Sequence, residues 1–267
     1  MLSGIGKIYN HRKYQFPLKL SIKSIISEAD EFVLAVCEDS EDDTVEYCQA
    51  LEKSFAGKLK LVYSKWIVDP AEGKFNMKRL ADLAISKANN DWVLSVDMDE
   101  VYRPGEIASL VRQLKLLPKE YGGATVNFIH HHISPYYRVF GKLYDRSARV
   151  GRKSMKWRSY DDGFGLQGDG QIYMTGVTCN HYGFVRSAED TIKKELNFQE
   201  TLYTPLHSNF PDPRLVDYMK RLHNGEIIDK DKFYTDMLGE KDFIVKYNGA
   251  HANGVIEWYK KINGIED

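Results

Sequence analysis

No stretch of the sequence approaches eighteen consecutive apolar residues, so no membrane-spanning helix is expected. The first residues, Met-Leu-Ser-Gly-Ile-Gly-Lys, lack the apolar core of a secretory signal. Cysteine is scarce: Cys37, Cys48 and Cys179 are odd in number and have no metal-site spacing. A disulfide framework is therefore not expected, and a reduced, cytoplasmic setting is. Excess charge is missing too. With 37 basic and 38 acidic residues the formal net charge is −1, which argues against a surface built as a whole for nucleic acid but leaves room for a local basic patch. Internal repeats, low-complexity tracts and a clear linker are absent.

What is present suffices for a core. The chain has 267 residues, 43% of them hydrophobic and 12% aromatic, enough for one large α/β domain or two small ones. Residues 5–9 read as a first strand, and Pro17 opens a helix to about Ser27 with Leu18, Ile22, Ile25 and Ile26 on one face. The near-continuous apolar run 32–37 is typical of a central parallel strand. The acidic segment 38–44 follows it, then a helix carrying Val45, Cys48, Leu51 and Phe55. Further strands are expected at 59–63 and 92–96, and helices at 73–88 and 107–117. This alternation predicts a mostly parallel sheet with helices on both faces. After Gly122-Gly123 the pattern changes to a strand at 124–133, an aromatic, basic and Gly-rich region to about Gly183, and a helix at 187–203. The segment beyond Pro205 reads as short helices and loops.

The run Trp92-Val93-Leu94-Ser95-Val96-Asp97-Met98-Asp99-Glu100 carries the strongest chemical signal. Three carboxylates follow a buried strand at its C-terminal end, where open α/β sheets bind ligands. Left unpaired there they would suffer repulsion and desolvation, and a divalent cation would relieve both. In extended backbone Asp97 and Asp99 share a face, so the pair could hold Mg²⁺ or Mn²⁺ against a phosphate. The alternative is a capped loop ahead of the helix near Pro104. For Asp39, Asp42 and Ser40 the alternative to a ligand role is capping of the following helix.

In this order the motifs resemble the GT-A glycosyltransferases, specifically the family 2-like group. The resemblance covers roughly residues 1–200. Ser3-Gly4-Ile5 with Asn10 is similar to the family's opening strand, and Asp39-Ser40-Glu41-Asp42-Asp43-Thr44 to its Asp-Ser-x-Asp-x-Thr segment. Asp97-Met98-Asp99-Glu100 resembles its Asp-x-Asp-Glu metal motif. His181-Tyr182-Gly183-Phe184-Val185-Arg186 resembles the His-Tyr-Gly-x-Val-Arg element of bacterial members. The fold implied is α/β of the GT-A (Rossmann-like) kind: a mostly parallel central sheet flanked by helices, a mixed acceptor-side half and a helical C-terminal part. We expect one catalytic domain over residues 1–204, its halves being 1–120 for the nucleotide-sugar and 121–204 for the acceptor. Residues 205–267 would form a helical extension packed on the same domain.

The activity implied is transfer of a sugar from a nucleotide-diphosphate sugar, with UDP the expected carrier. By the resemblance, Glu38, Asp39 and Asp42 face the base and ribose, Asp97 the ribose and the metal, and Asp99 the metal. Lys78 and Arg79 stand where the family places a basic residue near the diphosphate, a solvated helix face being the alternative. His181 is a further metal ligand or diphosphate contact, and a neutral imidazole favours Mn²⁺ over Mg²⁺. The family usually supplies a catalytic Asp in the second half, where Asp161-Asp162-Gly163 lies; Asp162 is preferred over Asp161 as base, and an ordinary turn is the alternative. A single in-line base implies inversion at the anomeric carbon.

Trp157 and Tyr160 could stack on a sugar or base, or pack in the core. Arg149, Arg152, Lys153, Lys156 and Arg158 cluster beside them, either as a solvated face or as a site for an anionic acceptor. His130-His131-His132 alternate faces along a strand and cannot all meet one ion. The expected partners are therefore a nucleotide-sugar donor and a glycan acceptor, hydroxymethylated DNA being a second acceptor class. Two other readings are a sugar nucleotidyltransferase and a nucleotide-sugar-binding module without catalysis. The first would need a denser Gly-rich basic loop than Gly4-Ile5-Gly6-Lys7.

Overall fold

A computed structural model of the chain describes residues 1–67, 76–132, 134–139, 145–160, 165–199, 212–238 and 244–265. Its first half is built from strands β1 (Leu2–Ile8), β2 (Glu31–Cys37), β3 (Leu59–Ser64) and β4 (Trp92–Val96). Helices α1 (Leu18–Ile26), α2 (Thr44–Ser54) and α3 (Asn76–Lys87) intervene. The four strands run parallel in the order β3-β2-β1-β4. β1, β2 and β4 are buried along nearly their whole length, which is why their sequences are apolar without alternation. From β1 the chain steps outward to β3, then returns to the far side of β1 for β4. That reversal leaves a crevice beyond the C-terminal ends of β1 and β4, the place where doubly wound sheets hold ligands.

Beyond β4 the sheet becomes mixed. It takes in β5 (Glu100–Tyr102), β6 (Tyr121–His132), β7 (Ser134–Val139), β8 (Arg146–Arg152) and β11 (Gln171–Phe184). Helix α4 (Glu106–Leu116) lies between β5 and β6. β8 is antiparallel to both β4 and β6, while β11 runs parallel to β6 and antiparallel to β5. β9 (Arg158–Tyr160) and β10 (Gly165–Gln167) form a separate two-stranded sheet. The sheet thus matches the expected mostly parallel core flanked by helices, with a mixed second half.

Among its described residues the aromatic, basic and Gly-rich region is largely strand. Glycines within this region and at its preceding strand, β6, make room for one ring. A Cβ at Gly123 would lie 2.0 Å from the Trp157 indole, and one at Gly151 would lie 2.6 Å from the Trp157 Cβ. Trp157 is 1% exposed, and its Nε1 donates to the Asp169 carbonyl at 2.8 Å. With Ile5, Val33, Leu80 and Ala84 it forms the core under α3, while Leu34, Leu94, Val96, Ile107 and Leu110 pack on the other side of the sheet. Trp157 is therefore a core residue, not a surface that an acceptor could stack on.

After β11 come α5 (Ala188–Phe198), α6 (Pro213–His223), α7 (Lys230–Leu238), β12 (Ile244–Lys246) and α8 (Val255–Ile262). Ser187 caps α5, accepting from the Asp190 amide at 3.0 Å. β12 pairs antiparallel with β7. The segment after it meets the sheet at His131, whose Nε2 lies 2.9 Å from Asn180 Oδ1 and whose ring stacks on Tyr182 at 4.6 Å. The Tyr182 hydroxyl contacts His251 Nδ1 at 2.9 Å. His131 is fully buried, and burial pulls its pKa down to about 4. Among the described residues no helix is long and apolar enough to cross a membrane.

Replacing Trp157 by Ala should cost about 3–5 kcal/mol in urea unfolding, the range for a fully buried aromatic. His131 sets a pH dependence. The unfolded ring takes a proton near its ordinary value of 6.5 and the folded ring only near 4. The stability present above pH 6.5 should therefore fall as the pH drops toward 4, by up to about 3 kcal/mol. His131→Phe, which keeps a ring against Tyr182, should flatten that decline in unfolding midpoints measured across the range.

Candidate active site

β4 ends at Val96, and residues 97–99 turn back on themselves. The Glu100 amide donates to the Asp97 carbonyl at 3.0 Å, and the Asp97 amide donates to Glu100 Oε2 at 3.0 Å. The expected extended face shared by Asp97 and Asp99 is thus replaced by a turn, and the two carboxylates have different neighbours. Asp97 receives Lys7 Nζ on Oδ1 and Arg149 Nη1, at 3.1 Å, on Oδ2. Lys7 reaches it across the reversal point because Gly6 pairs with Val96. Arg149, fully buried on β8, also places Nη2 2.5 Å from Glu100 Oε1. Burial alone would raise the Asp97 pKa, but Lys7 and Arg149 overcome this and hold it well below the carboxylate range. Burial pushes Glu100 up, with Arg149 opposing and Asp97 and Asp99 adding to the rise.

Asp99 faces the other way. Its Oδ1 lies 3.6 Å from His181 Nε2 and its Oδ2 lies 3.6 Å from Lys194 Nζ. β11 delivers His181 because it pairs with Glu100 on β5 and with His130 on β6. The Tyr182 amide also donates to the Asp99 carbonyl at 2.8 Å. Gly183 is required by this approach: a Cβ there would lie 2.6 Å from the His181 ring and 2.9 Å from Asp99 Oδ2. Behind His181, its Nδ1 sits 3.1 Å from His130 Nδ1, so only one of the two nitrogens carries a proton. Burial lowers the His181 pKa to about 3, with Asp99 opposing, so the ring is neutral at physiological pH. Asp99 stays below its ordinary value: burial would raise it, and His181 and Lys194 outweigh that. Burial lowers Lys194, with Asp99 and Glu195 opposing.

The charge balance differs from the one the sequence suggests. Asp97, Asp99 and Glu100 are met by Lys7, Arg149 and Lys194, so carboxylate repulsion makes no demand for a metal. The case for one rests on Asp99 and His181. Two ligands at right angles around Mn²⁺ or Mg²⁺ stand about 3 Å apart, so the 3.6 Å between Oδ1 and Nε2 must close by a little over half an ångström through side-chain adjustment. A neutral ring with its second nitrogen engaged by His130 is the usual state of a metal-ligating histidine. A second group, His11, Asp42 and Asp43, brings its ligand atoms within 4.8 Å of one another. There Asp42 already accepts from the amides of Arg12, Lys13 and Thr44, and Arg12 Nε donates to Asp43 at 2.7 Å.

The residues expected near the base lie at the ends of β2 and β3. Glu38 is exposed and its amide donates to the Ser64 carbonyl at 3.0 Å. Asp39 accepts from the Trp66 amide at 2.7 Å. The Trp66 ring stacks on Tyr9 at 4.6 Å, making an aromatic face beside these carboxylates. Arg79 spans from α3 to Ser64 Oγ at 2.5 Å, and Lys78 pairs with Asp82. Asp42 joins the loop after β1 to the start of α2. Burial would raise its pKa, but the hydrogen bonds from Thr44, Lys13 and Arg12 keep it low.

On the acceptor side, Asp161 and Asp162 lie outside the described residues. Arg158 is exposed and donates to the Trp157 carbonyl at 2.7 Å, and Tyr160 is partly buried at the end of β9. The basic cluster does not form one face: Arg149 is buried in the site, Arg152 lies over Trp92 at 4.4 Å, and Lys153 bonds the Ala88 carbonyl. His130, His131 and His132 diverge toward His181, Tyr182 and Phe184 respectively. The sequence motifs do not point to Tyr9, Trp66 or Lys194, and they place Arg149 in a basic cluster and Lys7 in a sparse glycine segment rather than beside Asp97. A lysine inside an apolar strand and an arginine between Ala148 and Val150 were the available signals.

No family model matches the sequence, and no curated protein matches it. Among solved structures the chain is similar to S. aureus TarS 1-349 in complex with UDP, at 13% identity over 89% of this chain and 70% of that one, with a TM-score of 0.44. It is also similar to glucosyl-3-phosphoglycerate synthase from Mycobacterium tuberculosis in complex with Mn²⁺, UDP and phosphoglyceric acid, at 14% identity, 68% and 70% coverage and a TM-score of 0.42. The chain spans 64% of TarS 1-349 in another crystal and 42% of a longer TarS chain.

Arg149→Met should destabilise the protein by about 3–5 kcal/mol, since it leaves Glu100 and Asp97 without their shared partner. Adding Glu100→Gln should recover part of the loss. Denaturant unfolding of the single and double variants measures both.

Proposed function

We propose that the chain is a metal-dependent glycosyltransferase that moves a sugar, with inversion, from a UDP-type nucleotide-diphosphate sugar to a hydroxyl of a glycan. The observation that carries this reading is the Asp99–His181 pair, backed by His130, beyond the C-terminal end of β4. The order of motifs resembling family 2-like GT-A enzymes supplies the reaction class. In this reading the Tyr9–Trp66 face, with Glu38 and Asp39 beside it, receives the base and ribose. Arg79 lies toward the diphosphate. Asp97 orders the Lys7 and Arg149 cations around the turn.

Asp99 and His181 would hold Mn²⁺, or Mg²⁺ less favourably, as a Lewis acid for the departing diphosphate. Asp162, or Asp161, would take the proton from the acceptor hydroxyl as it attacks the anomeric carbon on the face opposite the leaving group. Arg158 and Tyr160, on the strand that leads to these aspartates, would contact the acceptor. With Arg149 buried and Arg152 and Lys153 engaged with Trp92 and Ala88, only Lys156 and Arg158 of the basic cluster are exposed, which supports a glycan acceptor more than a nucleic acid.

A panel of UDP-, GDP-, dTDP- and CMP-sugars tests this reading. Nucleotide release from one donor should require Mn²⁺ and fall by at least about a hundredfold in Asp99→Ala. Release that persists in EDTA and in Asp99→Ala would sink the metal-site assignment. Metal-dependent binding of a nucleotide without turnover, with acceptor glycans supplied, would favour a binding module.

A further inference from the structure

We infer that Lys194 is a resident counter-ion for Asp99 that makes divalent-metal binding conditional on the nucleotide. The inference rests on the reading of Asp99 and His181 as metal ligands in a nucleotide-sugar site. Asp99 has two oxygens and two distinct neighbours: His181 Nε2 is 3.6 Å from one, Lys194 Nζ 3.6 Å from the other. Lys194 is not a mobile surface lysine. It is 6% exposed, and its Nζ lies 3.5 Å from the Gly183 carbonyl, 5.5 Å from the Phe16 ring centroid and 5.3 Å from that of Phe198. A carboxylate, a carbonyl and two aromatic faces surround the ammonium, and the fully buried Arg186 guanidinium, 5.6 Å from the Phe16 ring centroid, adds a second cation beside it. The helix that carries Lys194 is tied to the loop after β1 by Gln15 Nε2 donating to Asp190 at 3.0 Å and by the Tyr14–Asn197 hydrogen bond.

This arrangement has a consequence for a second cation. Lys7 and Arg149 already compensate Asp97 and Glu100, and Lys194 compensates Asp99. A divalent ion entering between Asp99 and His181 alone would meet a carboxylate already paired with an ammonium at 3.6 Å. A nucleoside diphosphate brings the missing negative charge. It would draw the Lys194 ammonium toward its phosphate oxygens and leave Asp99 to the metal. Lys194 would then flank the leaving group.

Mn²⁺ binding, followed by electron paramagnetic resonance with and without UDP, tests the inference directly. The wild type should bind Mn²⁺ weakly alone and at least about tenfold more tightly with UDP. Lys194→Met should bind Mn²⁺ alone about tenfold more tightly than wild type and lose most of the UDP enhancement. Lys194→Arg should keep the wild-type pattern. Lys194→Gln, which can still donate to Asp99, serves as the neutral variant if thermal melting shows that the methionine variant does not fold. A neutral variant with unchanged Mn²⁺ affinity and unchanged UDP enhancement would overturn the inference while leaving the metal-site reading standing. A wild type that binds no Mn²⁺ even with UDP would overturn both.

Discussion

Arg149 shares one guanidinium between Glu100 and Asp97 from a fully buried position on β8, and the rest of the site is arranged around that sharing. A buried arginine is tolerable only where its donors meet acceptors, and the turn from Asp97 to Glu100 presents two carboxylates to it. Closing the turn with the Glu100 side chain on the Asp97 amide fixes where Asp99 points. The arginine therefore positions a carboxylate that it does not touch. Removing Arg149 takes from Glu100 its ion-pair partner and from Asp97 one of its two.

The site divides into two halves of different character. Asp97 and Glu100 are saturated by cations that belong to neighbouring strands. Asp99 sits at longer range from both its neighbours, at 3.6 Å each, with a neutral imidazole on one side. The first half is a scaffold held by short charge-assisted contacts, and the second retains capacity for a ligand. The loop after β1 serves both: Tyr9 and Asn10 shape the region near the base, while Gln15 and Phe16 support the helix that carries Lys194.

Much of the first half of the fold is legible in the sequence because local signals and tertiary demands agree. Leu18, Ile22, Ile25 and Ile26 face the sheet as their spacing implies, and the apolar runs at 32–37 and 92–96 are central strands. The second half misleads for a physical reason. Glycines such as Gly123 and Gly151 usually mark turns, yet here they lie in strands because Trp157 packs onto their backbones. Within the site, Asp99 and His181 are visible as motif residues. Their partners Lys7, Arg149 and Lys194 are not, because a charge that looks solvated in sequence becomes buried only through pairing between distant strands and helices. The extended reading of Asp97 and Asp99 fails because Glu100 folds the backbone into a turn.

The pairing of β11 with both β5 and β6 bears on how the chain acquires its site. His181 pairs with Glu100, about eighty residues earlier, and with His130, about fifty earlier. Within the parallel sheet of the first half, β1 pairs with β2 across about thirty residues and with β4 across about ninety, all of them made before β11. Contacts of such sequence separation carry a loop-closure cost, and those of β11 must also wait until residues 171–184 are made. During synthesis the acidic turn would therefore emerge and fold before its histidine and lysine existed. Lys7, already made, could compensate Asp97 in that interval, whereas Asp99 would wait, solvated, for the last long strand to dock.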